Sequence, residues 1–351
     1  MTFSQESKES AGASKGQPLL APAFAICPHL CYTVGKTIGM RKEPPMNWIK
    51  GINFATFARR GMLRTDEAKR SLDAMVETLS PNLVILTPAA VQENAQSEKI
   101  DLTTHFTMSD DELIATIRRI HGMGIQVAVK PTVNCLNGTW RAHINFFDVD
   151  VPCEPKWRNW FASYTAFQAH FARIAEQENC EMFLPGCEMV MADRRADEWR
   201  ALIRELRGIY SGLISYNCDK YQEDRVTWWD CVDVISSSGY YPIDDWPRQL
   251  DRIQQVVERF QKPFFFAELG CMATAGSSLR PNDWSVKGDY APEEQAAWYE
   301  TVFKEALARP FVGGFAFWDW GPGDPRPGER GYHLQGTRAG AIVGDNYRRE
   351  R

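Results

Sequence analysis

The sequence predicts a (β/α)8 TIM barrel in a single domain, and three observations carry that prediction. From Trp48 onward, short β-rich runs alternate with amphipathic helical segments without interruption. Eight such runs can be read, the number at which a parallel sheet of this kind closes. The segment after the first run, Phe57-Ala58-Arg59-Arg60-Gly61, lacks the glycine-rich phosphate loop that an open doubly wound sheet would carry there. A length of 351 residues ordinarily suggests two domains, but α/β barrels reach it as one. No internal repeat or linker divides the series.

The elements run in order along the chain. Gly51–Ala55 is the first strand, with a helix expected over Thr65–Leu79. Asn82–Leu86 (NLVIL) is the second, and Ser109 and Glu112 form a capping box that opens the next helix. Ile125–Lys130 is the third, and Pro131 marks its exit. A long loop is expected over Asn134–Pro155, then a helix over Lys156–Gln177. The fourth strand starts at Met182-Phe183-Leu184 and ends at Gly186-Cys187-Glu188, followed by a helix over Asp197–Ile209. Gly212–Tyr216 and Val232–Ser236 are the fifth and sixth, and a helix runs over Trp246–Phe260. Pro263–Glu268 (PFFFAE) is the seventh, a helix spans Pro292–Leu307, and Gly313–Trp318 is the eighth. About eight helices are expected in all. Residues 1–44 read as an N-terminal extension, poorly ordered or loosely docked, with the barrel over 45–351.

Composition narrows the function classes. Hydrophobic residues make up 44% of the chain, enough for a sizeable core. With a net charge of -5 and no basic block, the footprint of a nucleic-acid binder is missing. No stretch reaches the roughly eighteen apolar residues of a membrane helix. Leu19–Cys31 is apolar, but Pro18, Pro22 and Pro28 interrupt it and Glu6 and Glu9 precede it, so a secretory signal is the lesser alternative. The nine cysteines are irregularly spaced without a C-x-x-C pair, which points to reduced thiols and a cytoplasmic location. The six histidines are scattered and none pairs with Cys at ligand spacing, so no metal site is expected, and the two-carboxylate chemistry read from the strand ends requires no cofactor. Twelve tryptophans, many beside strand ends, suit a cleft that stacks on the apolar faces of sugar rings.

In a barrel the C-terminal strand ends carry the chemistry. Two of them finish in acids after apolar runs, Glu188 on the fourth strand and Glu268 on the seventh. A carboxylate in such a place is poorly solvated and costly unless it is used. Two carboxyl groups facing each other across the mouth are the equipment of a glycosidase. One attacks the anomeric carbon while the other, its pKa raised, protonates the leaving oxygen.

These residues also carry a resemblance. A Glu ending strand four and another ending strand seven mark the clan A glycoside hydrolases. The span from about Trp48 to Arg348 resembles glycoside hydrolase family 113, a group of β-mannanases. The matching pieces begin with Gly51-Ile52-Asn53-Phe54, Leu86-Thr87-Pro88 with Gln92, Val129-Lys130-Pro131 and Gly138-Thr139-Trp140-Arg141. Gly186-Cys187-Glu188, Gly239-Tyr240-Tyr241-Pro242, Ala267-Glu268-Leu269-Gly270 and Gly314-Phe315-Ala316-Phe317-Trp318 complete them. The resemblance implies Glu188 as acid/base and Glu268 as nucleophile. It implies a tyrosine bonded to the nucleophile, either Tyr240 or Tyr241 according to register. Trp318 would floor the cleaved subsite. Lys130, Trp140, Arg141, Asn217, Trp228 and Trp229 are further candidates for binding substrate, and Trp284 lies in a loop that could shape the cleft.

Two positions depart from the pattern. Cys187 stands where many clan members carry Asn, and Thr132 where family members often carry His. Both leave the carboxylate chemistry intact while bearing on which sugar is held. The expected partner is an oligosaccharide or polysaccharide, with β-1,4-mannan or manno-oligosaccharides first. A hydrolase or transglycosidase of another β-hexoside is one alternative, and a sugar-binding barrel that has lost catalysis is the other.

Overall fold

A computed structural model describes residues 48–324 and 327–349. The expected N-terminal extension, residues 1–44, lies outside the described residues. Eight parallel strands close into a barrel: β1 (Ile49–Phe54), β2 (Leu83–Leu86), β3 (Gln126–Val129), β4 (Met182–Phe183), β5 (Leu213–Cys218), β6 (Val234–Ser238), β7 (Phe264–Leu269) and β8 (Val312–Trp320). Each strand pairs with its chain neighbours, and β8 closes the ring against β1. Seven helices are described: α1 (Asp66–Leu79), α2 (Asp110–Gly122), α3 (Trp157–Gln177), α4 (Ala196–Arg207), α5 (Trp246–Phe260), α6 (Pro292–Leu307) and α7 (Arg338–Arg348).

The strands close because they are apolar on both faces, as parallel strands under helices must be. Leu83, Ile85, Ala128, Met182, Leu184, Val234, Phe265, Ala267 and Ala316 fill the inside of the ring. Their alternates, such as Val84, Leu86, Val127, Val129 and Phe266, belong to the larger core between strands and helices. At the β1–β8 seam Gly314 adopts φ +139, and a Cβ there would meet the Ile49 carbonyl at 2.2 Å, so only glycine permits this closure. The capping box on α2 forms as read, with Ser109 and Glu112 exchanging both bonds. No helix among the described residues is long and apolar enough to cross a membrane.

Two connections differ from the sequence reading. The β3–α3 connection is not all loop: Thr132–Cys135 pairs in parallel with Ala89–Gln92, making a two-stranded sheet on the barrel rim. The β5–β6 connection carries no α-helix and is spanned by turns and a single 3-10 turn, Trp229–Cys231. Two consecutive tryptophans in it, Trp228 and Trp229, are fully buried and pack against Tyr216.

Candidate active site

Glu188 does not end a straight strand. After Phe183 the chain leaves the regular strand over 184–186, and an isolated bridge from Cys187 to Asn217 continues the pairing with β5. Glu188 then takes a left-handed conformation, φ +54, fixed by its N–H donating to the Asn217 carbonyl at 2.8 Å. That conformation costs a non-glycine residue about 1–2 kcal/mol. Glu268 is turned inward by different means. Strict alternation along β7, with Phe265 and Ala267 inside, would turn Glu268 out. The pairing slips instead: Ser237 lies opposite Phe266 but Ser238 opposite Glu268, and this bulge brings the carboxyl into the mouth.

The two acids meet. One oxygen of each carboxylate and the Cys187 sulfur lie within 4.8 Å of one another. An inverting pair would stand about 6.5–9.5 Å apart to admit a water, whereas a retaining pair stands about 5–5.5 Å apart. Both side chains are almost wholly buried, yet their partners differ. Glu268 Oε2 accepts from Lys130 Nζ at 2.8 Å, and Oε1 accepts from the Tyr240 hydroxyl at 2.9 Å. Glu188 Oε1 accepts from Ser238 Oγ at 2.8 Å, while Arg141 stands 3.8 Å from Oε2.

These surroundings push the two groups apart. Burial, the charge of Glu268 and then that of Asp219 raise Glu188 to about 8, against the pull of Arg141 and Lys220. Burial also opposes ionisation of Glu268, but Lys130, Arg141 and the Tyr240 hydroxyl outweigh it and hold the carboxyl below its usual value. Near neutral pH one acid keeps its proton and its neighbour does not. Cys187, Glu188 and Glu268 are also the described residues that could gather round a metal ion, but Lys130 and Arg141 already supply positive charge at that spot.

The other expected residues divide between the mouth and the core. Tyr240, not Tyr241, reaches the seventh-strand acid, which settles the register left open in the sequence. Tyr241 points away, fully buried, with its hydroxyl on Glu223. Trp228 and Trp229 are likewise corrected: their indole N–H groups donate to the backbone carbonyls of Asp193 and Glu223, and their rings pack against Tyr216 in the core. Lys130 is fully buried and spends its bonds on Glu268 and Asn217 Oδ1, so it serves the carboxylate rather than open cleft. Asn217 passes the contact on, its amide donating to Ser238 Oγ at 2.9 Å. Arg141 is held by Val133 O and Asn134 Oδ1 beside Glu188.

The aromatic residues place the cleft. Trp318 lies at the mouth with Lys130 Nζ 5.5 Å from its ring centre, and it packs with Tyr240, Met272 and Tyr332. Phe57, 59% exposed, stands edge-on to both Trp318 and Trp284, itself 60% exposed, and Trp284 leans on Tyr332. This wall rises on the Glu268 side. On the Glu188 side Trp140, 42% exposed, lies under Lys220 Nζ at 5.8 Å.

Sequence reasoning missed Ser238, Phe57, Tyr332 and the pair Asp219–Lys220. It also missed Asp319, which accepts from Thr56 and meets His333 at 2.6 Å directly after Trp318. Ser238 had a usable signal, since it follows Val234 and Ser236 at the period of the inward face. Phe57 and Tyr332 come from loops, where no period marks direction. A cavity of about 400 Å³ lined by Glu67, Asp324, Glu329, His333 and Gln335 opens nearby, with neither catalytic candidate on its wall.

Comparison with known proteins places the chain by sequence and fold. The model described as Glycoside Hydrolase Family 113 matches residues 52–326. Two solved structures of a GH113 β-1,4-mannanase, one a complex, superpose with TM-score 0.86 at 48% identity, over 87% of this chain and 100% of theirs. A GH113 β-mannanase from Alicyclobacillus acidocaldarius in complex with ManMIm gives 0.83 at 36% identity, over 86% of this chain and 98% of that one. A Ruminococcus gnavus β-glucuronidase gives 0.61 at 13% identity, over 86% of this chain and 50% of that one, and shares the fold alone. No curated protein matches the chain. The chain, a closed barrel with two unequal acids at its mouth and matched by the family model over most of its length, belongs to glycoside hydrolase family 113 and is a glycoside hydrolase.

Proposed function

We propose that this hydrolase cleaves β-1,4-mannan or manno-oligosaccharides with retention, using Glu268 as nucleophile and Glu188 as acid/base. The observation that carries the reading is the close approach of two carboxylates with opposite pKa shifts. In the first step an oxygen of Glu268 bonds to the anomeric carbon as the glycosidic bond breaks, and the Glu188 proton goes to the leaving oxygen. Forming the ester removes the negative charge of Glu268, one of the causes that raise Glu188. Glu188 thereby becomes the better carboxylate, suited to take a proton from water in the second step. Water attacks the anomeric carbon, the bond to Glu268 breaks, and a hemiacetal of the original configuration leaves.

The substrate rests on the 48% and 36% identical relatives, both β-mannanases. Another β-hexoside is the second reading, favoured by Cys187, whose thiol is a weak hydrogen bonder beside the reacting centre. A cytoplasmic setting is supported by the free thiols of the seven described cysteines. The test is hydrolysis of defined β-1,4-manno-oligosaccharides followed by NMR of the first product. Initial release of the β-anomer is expected. Initial α-anomer would remove the double displacement, and turnover of β-glucosides in preference would remove the substrate.

A further inference from the structure

We infer that Glu223, which lies outside the barrel mouth and touches neither acid, is a positioning residue that aligns the end of β6 for both of them. It sits in the helix-free connection after β5 and is fully buried. A carboxylate without solvent is costly unless its oxygens are satisfied, and these are. One oxygen accepts from Ser237 Oγ at 2.6 Å and from the Tyr241 hydroxyl. The other accepts from Arg252 on α5, and the Glu223 carbonyl takes the Trp229 indole N–H at 2.8 Å.

The period of two along β6 gives these bonds their meaning. Ser237 and Tyr241 face outward. Their neighbours Ser238 and Tyr240 face inward, where Ser238 Oγ donates to Glu188 at 2.8 Å and the Tyr240 hydroxyl to Glu268 at 2.9 Å. A single carboxylate therefore grips the outer side of the segment whose inner side holds both acids. Rotation of Tyr241 moves Tyr240, and rotation of Ser237 moves Ser238, because each pair shares one peptide or one short turn. The connection after β5 gives up a helix and supplies this grip instead.

The inference rests on the proposed roles of Glu188 and Glu268, and its test separates the two. Tyr241→Phe and Ser237→Ala each remove one bond and leave the Glu223–Arg252 pair in place. Each is made in the full chain and assayed for kcat, KM, melting temperature and the pH dependence of kcat/KM. Tyr241→Phe is expected to lower kcat about tenfold, with KM changed by less than about twofold. It should also move the acid limb upward, because Glu268 loses part of the hydroxyl bond that holds its carboxyl down. Ser237→Ala is expected to move the basic limb instead. Asn217 already donates to Ser238 Oγ, so the serine proton is free for the Glu188 carboxylate, and a looser bond raises that group further. One hydrogen bond corresponds to about half to one pH unit.

Lys130, Arg141, Cys187 and Tyr240 face Glu268, and Arg141, Asp219, Lys220 and Ser238 face Glu188; neither substitution removes any of them. Glu223→Gln should move both limbs, although it also alters the field at Asp219. A residue that only stabilises the fold would lower the melting temperature in these variants and leave the limbs where they are. Limbs unmoved in Tyr241→Phe and Ser237→Ala overturn the inference, while normal turnover in Glu268→Ala or Glu188→Ala overturns the roles beneath it.

Discussion

Glu188 and Glu268 are the same residue, about equally buried at 8% and 6% exposure, yet one is driven up and the other down. The difference lies in where the cation stands. Lys130 touches Glu268 at 2.8 Å, whereas Arg141 comes no nearer to Glu188 than 3.8 Å. Direct contact adds a charge-assisted hydrogen bond, and Glu268 also has the Tyr240 hydroxyl and Arg141, whereas Glu188 faces the charges of Glu268 and Asp219. Burial alone would have raised both. The contact with Lys130 is the largest of the causes that hold Glu268 down.

The sharpest break in this asymmetry comes from deleting each acid. Glu268→Ala should lower kcat by on the order of 10⁴-fold or more on any substrate, because no group remains to form the intermediate. Glu188→Ala should cost about 10²–10⁴-fold on oligosaccharides but far less on activated aryl glycosides, whose leaving group needs no proton. Equal losses on both substrates would contradict the division of labour, and steady-state kinetics on the two classes checks it.

Lys130→Met tests the cause directly. Without that cation only Arg141 and the Tyr240 hydroxyl oppose burial at Glu268, so its pKa rises and activity at low pH is lost. Breaking a buried pair costs about 3–5 kcal/mol, enough to move the acid limb of kcat/KM upward by about two pH units. An acid limb left in place would show that Lys130 does not set it.

A third test concerns stability. Glu188 titrates at about 8 when folded against a reference of 4.5, so between those values the folded chain binds a proton that the unfolded chain has released. Stability contributed by the neutral group is therefore full below pH 4.5, falls as pH rises, and is gone above about 8. Glu188→Gln removes the penalty, and its melting temperature should exceed that of the parent by a margin that widens from about pH 5 to about pH 9. A margin that narrows would reverse the sign. The smallest effect belongs to the aromatic wall on the Glu268 side. Trp284→Ala should raise KM for longer oligosaccharides about threefold to tenfold, with kcat little changed, since one stacked ring contributes about 1 kcal/mol.

Much of this architecture was legible in the sequence because it is written in local patterns. Apolar runs such as Leu83–Leu86 and Gln126–Val129 announce buried parallel strands, and the acids at the ends of two such runs announce the site. The features that escaped depend on events that leave no local mark. Alternation taken strictly would have turned Glu268 outward, and only the slip against Ser238 brings it in. The pair Trp228–Trp229 stood among the further binding candidates because tryptophan at a strand end is ambiguous, and here both rings are buried in the core with their N–H groups on backbone carbonyls. Helix α7 went unassigned because Thr337 caps its start but Gly340 and Gly344 break up its helical pattern. Phe57 and Tyr332 join the site from loops far apart in the chain, a meeting that only the closed ring arranges.

The left-handed backbone at Glu188 has a practical consequence for anyone improving this scaffold. Glycine at that position would relax the main chain and spare the interior a reluctant acid, so a library screened for heat resistance alone would favour its replacement. Selection for durability and selection for turnover pull this one codon in opposite directions. A hardier variant that has lost its turnover should be sequenced there first.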